Sequence, residues 1–451
     1  MSDLSVLRKL LLPLIFLLLG GGTGLAVEEQ EISDESSETV AQGPERPNSR
    51  KERWLLFREQ KRQELKPPEQ NIAEQYLRNF DRKGSQSIDE GAFWGFYPRL
   101  EWIARGSGAA LGVRYWRPEA LGPIDLMGSA FYSWRRYQHY DVQFGLIPNR
   151  GKRIPSRSFE SEGIEQLGDI DQGKFSRFKL YGSLRYRDRT DETFYGPGAG
   201  SKRENKFRYR VKETSAEAVT GLQFTRSFGW TVKLASIQHS LGSGRSSPTF
   251  EDLELGFPLP EYVEWPDYVR LHSSVLLDLR DDPGVPHRGF MIAFGWEKWD
   301  NVDRINQYNF YRYLADARGY IPLGSNQQVI ALRGLFVNSD PASGDRVPFF
   351  LKPSLGGGES LRGYDAFRFQ GDKLFLAQLE YRWEASRRFE FALFGDTGTV
   401  AEQGDRLSLD ELKSDWGIGF RFKSSRSTLF RVDQAWGNEG ARTQIRFSAV
   451  F

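Results

Sequence analysis

The feature that most constrains this chain is an alternation of apolar and polar side chains that recurs from residue 92 to the end. In the segment 413–423, Trp416 and Ile418 share one parity, whereas Arg421 and Lys423 share the other. Residues two apart lie on the same face of a β-strand. A charge facing lipid costs about 2–4 kcal/mol at the bilayer midplane, so the charged face must meet a wet interior. The pattern predicts a sheet closed into a membrane barrel, because closure also satisfies backbone groups that lipid cannot hydrate.

Sixteen segments have this period of two, an even number as in bacterial single-chain barrels. The predicted fold class is therefore all-β: a transmembrane antiparallel β-barrel of about 16 strands, preceded by a short N-terminal helical or linker segment. The span 205–227 is long enough for two strands, which leaves the count open by two. A turn is expected at Arg117-Pro118-Glu119. The candidate strands are 92–104, 109–117, 125–137, 139–147, 174–188, 205–227, 229–239, 268–280, 288–299, 305–321, 327–338, 373–384, 388–398, 413–423, 427–436 and 441–451.

Composition agrees with a barrel. A soluble β-sandwich would alternate too, but it would rarely do so over roughly 360 residues without a domain break. Aromatic residues make up 14% of the chain, and 62 basic residues balance 60 acidic ones. This near-neutral balance gives no argument for nucleic acid as a partner.

The first 26 residues have the features of an export signal. Arg8 and Lys9 precede an apolar run at 10–19, and Gly24-Leu25-Ala26 offers a small-residue cleavage site. The run is too short to span a bilayer as a helix, although an uncleaved anchor remains the alternative. Residues 27–91 are predicted to be a linker with short helices, which either tethers the barrel or docks at its mouth.

Several chemical classes are excluded by residue types. The chain has no cysteine, which excludes disulfides and thiolate metal sites, and its four histidines lack ligand spacing. No Gly-x-Ser-x-Gly elbow is present, and the glycine run at 196–200 lacks the βαβ unit that nucleotide-binding loops need. We therefore expect no metal, no cofactor and no enzymatic activity.

The most specific segment is 356–364, whose sequence is Gly-Gly-Gly-Glu-Ser-Leu-Arg-Gly-Tyr. It resembles the bacterial surface antigen family, whose members include barrel-assembly and translocation proteins of the BamA/TamA type. In that family an inward-folded loop before the last five strands carries (Val/Leu/Ile)-Arg-Gly-(Phe/Tyr), and Leu361-Arg362-Gly363-Tyr364 matches this tip. The resemblance implies that the loop arginine pairs with a carboxylate on the barrel wall.

Further matches occur in the family's order, so the resemblance is best supported over 268–451. The terminal Phe451 suits the strand signal that the family's assembly machinery recognises, and Phe194-Tyr195-Gly196-Pro197-Gly198 is a weaker match. The stronger matches are Leu277-Asp278-Leu279-Arg280-Asp281-Asp282-Pro283 with Pro286-His287-Arg288-Gly289, then Leu379-Glu380-Tyr381-Arg382, and Phe394-Gly395-Asp396-Thr397-Gly398-Thr399-Val400.

The alternation of side chains supports such a pairing, which we call the latch. Asp396 and Glu380 fall on the predicted lumen face of their strands, where a guanidinium could donate bidentate hydrogen bonds. We predict that Arg362 pairs with Asp396 first and Glu380 second, with Gly363 and Tyr364 completing the loop tip. The alternative is a solvated arginine beside an ordinary glycine turn.

A charged turn is expected between the strands 268–280 and 288–299. The residues of this turn are better explained by a structural role, holding the two strands in register, than by a chemical role. They are Asp278, Arg280, Asp281, Arg288 and Gly289.

The resemblance implies a role in inserting or translocating proteins or lipids at the outer membrane of a Gram-negative-type bacterium, reached through the secretory pathway. Its working parts would be the latch and the seam between 92–104 and 441–451. The expected partners are outer-membrane lipids and client outer-membrane proteins or periplasmic factors. The family's insertases carry polypeptide-transport-associated domains, whereas residues 27–91 are polar and linker-like. A passive pore or structural barrel is therefore the second hypothesis.

Overall fold

The computed structural model describes residues 95–147, 177–252, 265–282, 284–303, 307–423 and 428–446. The predicted signal at 1–26, the predicted linker at 27–91 and the terminal Phe451 lie outside these residues.

The described residues form strands joined by turns and short 3-10 segments. The 3-10 segments are Arg203–Asn205, Phe250–Asp252, Phe349–Leu351 and Leu409–Glu411. The strands are β1 (Gly95–Trp102), β2 (Ala109–Leu121), β3 (Ile124–Ser133), β4 (Gln138–Leu146), β5 (Phe178–Phe194), β6 (Phe207–Gln223), β7 (Phe228–Ser243), β8 (Tyr268–Asp278), β9 (Gly289–Asn301), β10 (Phe310–Leu323), β11 (Ser325–Pro341), β12 (Ser354–Leu355), β13 (Phe369–Gln370), β14 (Lys373–Glu384), β15 (Phe389–Ala401), β16 (Lys413–Lys423), β17 (Thr428–Gly437) and β18 (Gly440–Arg446).

Sixteen of these strands form one antiparallel sheet in chain order, from β1 to β11 and then from β14 to β18. The predicted fold class and the count of sixteen are confirmed. The span 205–227 holds the single strand β6, so the reading of two strands there is wrong. β12 and β13 form a separate two-stranded ladder inside the connection between β11 and β14.

The predicted alternation is present in the sheet. In β15, Phe391 and Leu393 are exposed while Glu390 and Asp396 are buried. In β16, Ile418 is exposed while Arg421 is buried. On these two strands the outer face is apolar, as lipid requires, and the charged side chains lie on the inner face.

The turn expected at Arg117-Pro118-Glu119 is wrong. These residues lie within β2, which continues to Leu121, and the register with β3 shifts between Arg117 and Leu121. A bulge accommodates Pro118, which has no N–H to donate to a ladder. Glu119 has φ 51°, and its N–H donates to Asp125 Oδ1 at 2.9 Å, which holds the bulge.

Most of the long connections lie at one end of the sheet. Residues 195–206, 244–267 and 342–372 connect strands at that end, whereas the other end has short turns such as 224–227 and 385–388, besides the longer connection between β4 and β5. In outer-membrane barrels the long loops face outward and the short turns face the periplasm. Within the described part, no helix is long and apolar enough to cross a membrane.

The long connection at 342–372 folds back against inward-facing aromatic side chains. The ring of Phe349 lies 5.1 Å from that of Phe194 and 4.9 Å from that of Tyr209, and Phe350 lies 5.1 Å from His239. Offset and edge-on aromatic contacts of this kind add to the stabilisation from burial. They fix the base of the connection inside the wall.

The two outermost strands of the sheet are β1 and β18. The ladders among residues 95–102 and 440–446 join β1 only to β2 and β18 only to β17. β1 and β18 are therefore the first and last strands of the sheet that the described residues form.

Changing lipid-facing Ile418 to lysine should destabilise the folded barrel by about 2–4 kcal/mol, because the charge enters hydrocarbon. The lumen-facing control Gln143→Lys should cost less than Ile418→Lys, because the new cation lies beside Asp141 and not in hydrocarbon. Urea titration of folding into lipid vesicles measures both. Equal losses at the two positions would contradict the assignment of faces.

Candidate functional site

The tip of the inward connection, residues 356–364, is built around two glycines in the left-handed region. Gly356 and Gly357 have φ of 111° and 91°. A Cβ on Gly356 would lie 2.1 Å from Asp365 O, so no other residue fits there without displacing the backbone. Ser360 Oγ accepts from Gly356 N at 2.9 Å and closes the turn. These constraints point the following arginine toward the wall.

Arg362 is fully buried, with 0% of its surface exposed. Its Nε and Nη2 donate to the two carboxylate oxygens of Asp396 on β15, each at 2.7 Å. Its Nη1 donates to Glu380 Oε1 on β14 at 2.6 Å. The planar guanidinium thus bridges two wall carboxylates and makes a bidentate contact with one of them.

The wall around this arginine includes two residues to which the sequence assigned no role in the latch. The guanidinium carbon of Arg362 lies 3.3 Å from the centroid of the Phe394 ring, a cation–π contact. Gln378 donates to Asp396 Oδ1 at 3.1 Å and to Ser360 O at 2.9 Å. Parity places Phe394 and Gln378 on the lumen face, so the signal for them was present in the alternation.

Gly363 and Tyr364 seat the loop against the wall beyond the arginine. A Cβ on Gly363 would lie 2.7 Å from the Cβ of Asp415, so glycine permits this close approach. Tyr364 is buried, donates its hydroxyl to Ser414 O at 3.2 Å, and packs edge-on against Phe369. The loop tip therefore contacts β14, β15 and β16.

The same segment also reaches toward β18. Glu359 accepts from Arg446 Nη1 at 2.6 Å, and Asp365 lies 3.0 Å from Arg442 Nε. Gln444 donates to Arg362 O at 3.4 Å.

On the opposite flank, the segment meets the turn between β1 and β2. Arg105 Nη1 donates to Ser354 O and Ser354 Oγ, both at 3.1 Å, and to Gly356 O at 3.5 Å. The inward connection thus touches both the β1–β2 hairpin and the β17–β18 hairpin.

The turn between β8 and β9 lies at the end of the sheet opposite this connection. Arg280 Nε and Nη2 donate to the carboxylate of Asp278 at 2.8 and 2.7 Å. Asp281 Oδ1 accepts from the backbone N–H groups of His287 and Arg288 at 3.0 and 3.2 Å. Gly289 has φ 98°, and a Cβ there would lie 2.2 Å from Leu279 O. This geometry is that of a turn held by its own carboxylates, and the Arg288 side chain is exposed.

His287 joins this turn to the wall. Its Nε2 lies 3.0 Å from Glu384 Oε1, and its Nδ1 lies 3.9 Å from Asp281 Oδ2. The hydrogen bond with Glu384 raises the pKa of His287 above its ordinary value of 6.5, whereas burial and the nearby Lys423 oppose the rise.

This pKa shift predicts a pH dependence of the free energy of unfolding. Because the folded pKa is raised, the stabilisation from protonated His287 is fully present below about pH 6 and is lost as the pH rises through the raised value. The difference in stability between the wild type and His287→Gln should therefore shrink as the pH rises. Urea unfolding from about pH 5 to about pH 9 measures it. A difference that stays constant with pH would contradict the His287–Glu384 contribution.

Comparison with known proteins identifies the architecture. The family model for the Omp85 superfamily domain matches residues 132–450, which extends the resemblance well before residue 268. No curated protein matches the chain significantly in sequence. The crystal structure of BamA from Haemophilus ducreyi lacking POTRA domains 1-3 matches with a TM-score of 0.54 at 15% identity, over 80% of this chain and 76% of that one.

Two further structures match less closely. CdiB from Acinetobacter baumannii has a TM-score of 0.46 at 13% identity, over 78% of this chain and 58% of that one. CdiB from Escherichia coli has a TM-score of 0.47 at 12% identity, over 82% of this chain and 70% of that one. Since the family model covers more than half of the sequence, the chain belongs to the Omp85 superfamily of Gram-negative outer-membrane β-barrels.

Proposed function

We propose that this protein assists the insertion or translocation of proteins or lipids at the outer membrane, with Arg362 as the latch of its inward loop. The observation that carries the proposal is the position of the loop tip, which is ion-paired into β14 and β15 while touching both edge hairpins. The proposal includes export through the secretory pathway and assigns no enzymatic reaction to the chain.

The first and last strands of the sheet, β1 and β18, supply the physical basis of this role. A strand edge presents free N–H and C=O groups that can pair with an incoming extended segment. Such an edge is costly in lipid, so a loop that holds the flanking hairpins together would keep it covered until a client arrives. The partners on this proposal are outer-membrane lipids, client outer-membrane proteins and periplasmic factors.

A passive pore is less well supported. The inward connection places Phe349, Phe350 and the loop tip against the inner face of the wall, where they occupy interior space. A pore would need this segment to leave room for solutes. Permeability therefore serves as the discriminating readout.

Depletion of the protein tests the proposed role directly. The outer-membrane proteome and lipid composition should change, and the wild-type gene should restore both. An unchanged outer membrane with reduced uptake of small solutes would instead identify a pore.

A double-mutant cycle tests the latch. Arg362→Ala should destabilise the folded barrel by about 3–5 kcal/mol, because it leaves the Asp396 carboxylate buried without its guanidinium. Arg362→Ala with Asp396→Asn should be less destabilised than Arg362→Ala alone, because the second change removes the uncompensated charge.

Arg362→Lys serves as the matched variant in the same urea titrations. It keeps the charge but cannot donate in bidentate fashion, so its stability should fall between those of the wild type and Arg362→Ala. Wild-type stability in Arg362→Ala would show that the loop tip needs no latch.

A further inference from the structure

We propose that the loop tip and the β8–β9 turn are coupled through a continuous chain of ion pairs, and that His287 is a positioning residue acting through this chain on Arg362. The inference goes beyond the proposed function, although it rests on the latch that the proposal contains. It concerns two elements that approach the wall from opposite ends of the sheet, the inward connection and the β8–β9 turn.

The first half of the chain starts at the latch. Arg362 Nη1 donates to Glu380 Oε1 at 2.6 Å. Glu380 also accepts from Arg421 Nη2, at 2.8 Å to Oε1 and 2.7 Å to Oε2. Arg421 Nη1 in turn donates to Glu390 Oε1 at 2.8 Å. All four side chains are buried, so water screens these contacts little.

The second half continues to the turn. Lys423 Nζ donates to Glu390 Oε2 at 2.9 Å and also to Glu384. Glu384 Oε1 then contacts His287 Nε2 at 3.0 Å. Basic and acidic groups therefore alternate from the loop tip to the turn without a gap.

Strand register explains why Lys423 is the critical middle position. Glu384 on β14 and Glu390 on β15 are directly opposite each other in the ladder. Like charges opposite each other in an antiparallel pair are destabilising. Lys423 bonds to both carboxylates and offsets their repulsion, so its loss would move the glutamates apart and disturb Arg421 and Glu380 behind them.

The two ends of the chain differ in their access to solvent. The side chain of Arg362 is 0% exposed, whereas that of His287 is 23% exposed. His287 also lines a cleft beneath the turn together with Arg382, Glu390 and Arg421. Loss of the His287 charge, or contact of a partner with the turn, therefore acts on the network from its solvent-exposed end.

A thiol reporter measures the docking of the loop tip. The chain contains no cysteine, so Ser360→Cys supplies a single thiol at a position that is 6% exposed. Because this change also replaces the hydroxyl that accepts from Gly356 N, every rate is compared with that of Ser360→Cys itself. The full mature chain, folded in lipid vesicles, is treated with a water-soluble maleimide, and the labelling rate reports how often the tip undocks. Arg362→Ala should label fastest.

In this background, His287→Ala should accelerate labelling by about threefold to tenfold, which corresponds to the coupling energies of contacting residues in one network. Lys423→Met should accelerate it at least as much. If His287 acts through the chain, adding His287→Ala to Lys423→Met should cause little further increase. Glu384→Gln replaces Lys423→Met if that variant fails to fold.

The matched control is Arg387→Ala, an exposed arginine in the neighbouring β14–β15 turn at the same end of the sheet. It should leave the labelling rate within about twofold of the background. Unchanged labelling in His287→Ala, an effect that adds fully to that of Lys423→Met, or an equal effect of Arg387→Ala would each overturn the inference. The assay needs no insertion activity. The two proposals can therefore fail separately. If His287→Ala accelerates labelling but depletion of the protein leaves the outer membrane unchanged, the proposed function is refuted and the chain of ion pairs is supported.

Discussion

Hydrocarbon offers no hydrogen bonds to a peptide group and no solvation to a charge. The strands therefore carry apolar side chains on their outer face and charged side chains on their inner face, as Phe391 and Glu390 show on β15. The interior that results holds fully buried arginines, including Arg362 and Arg421. Such charges persist only where counter-charges lie within hydrogen-bonding distance.

That requirement determines which charged side chains lie next to one another in the interior. Glu380 illustrates it, since one carboxylate receives Arg362, Arg382 and Arg421. Removing any member leaves its neighbours with unbalanced charge in a poorly hydrated interior. The loop tip is held in place by the same groups that compensate the buried charges of the wall, so the position of the loop and the integrity of the wall are linked.

Periodicity and motif spacing were sufficient for the sixteen-stranded sheet and for the faces of its strands. They also placed Asp396 and Glu380 on the inner face, where the structure has them. Parity alone could not give the contacts between strands. The approach of Lys423 to both Glu384 and Glu390 depends on the register of β14, β15 and β16, which one sequence does not encode locally.

Local irregularities were likewise beyond the pattern. Pro118 and Glu119 have the composition of a turn, yet the pairing of β2 with β3 carries them into the strand as a bulge. The ladder of β12 with β13 pairs only two residues of each strand, and a segment of two residues is too short to show an alternation of side chains. In both cases contacts distant in sequence override local preference.

The loop tip is a fixed part of the wall and not a mobile surface loop. Amide hydrogen exchange of the wild-type protein in lipid vesicles, followed by mass spectrometry, tests it most directly. Amides of residues 356–364 should exchange as slowly as those of β14 and β15, and far more slowly than those of the exposed connection 402–412. Exchange at 356–364 as fast as at 402–412 would contradict the account.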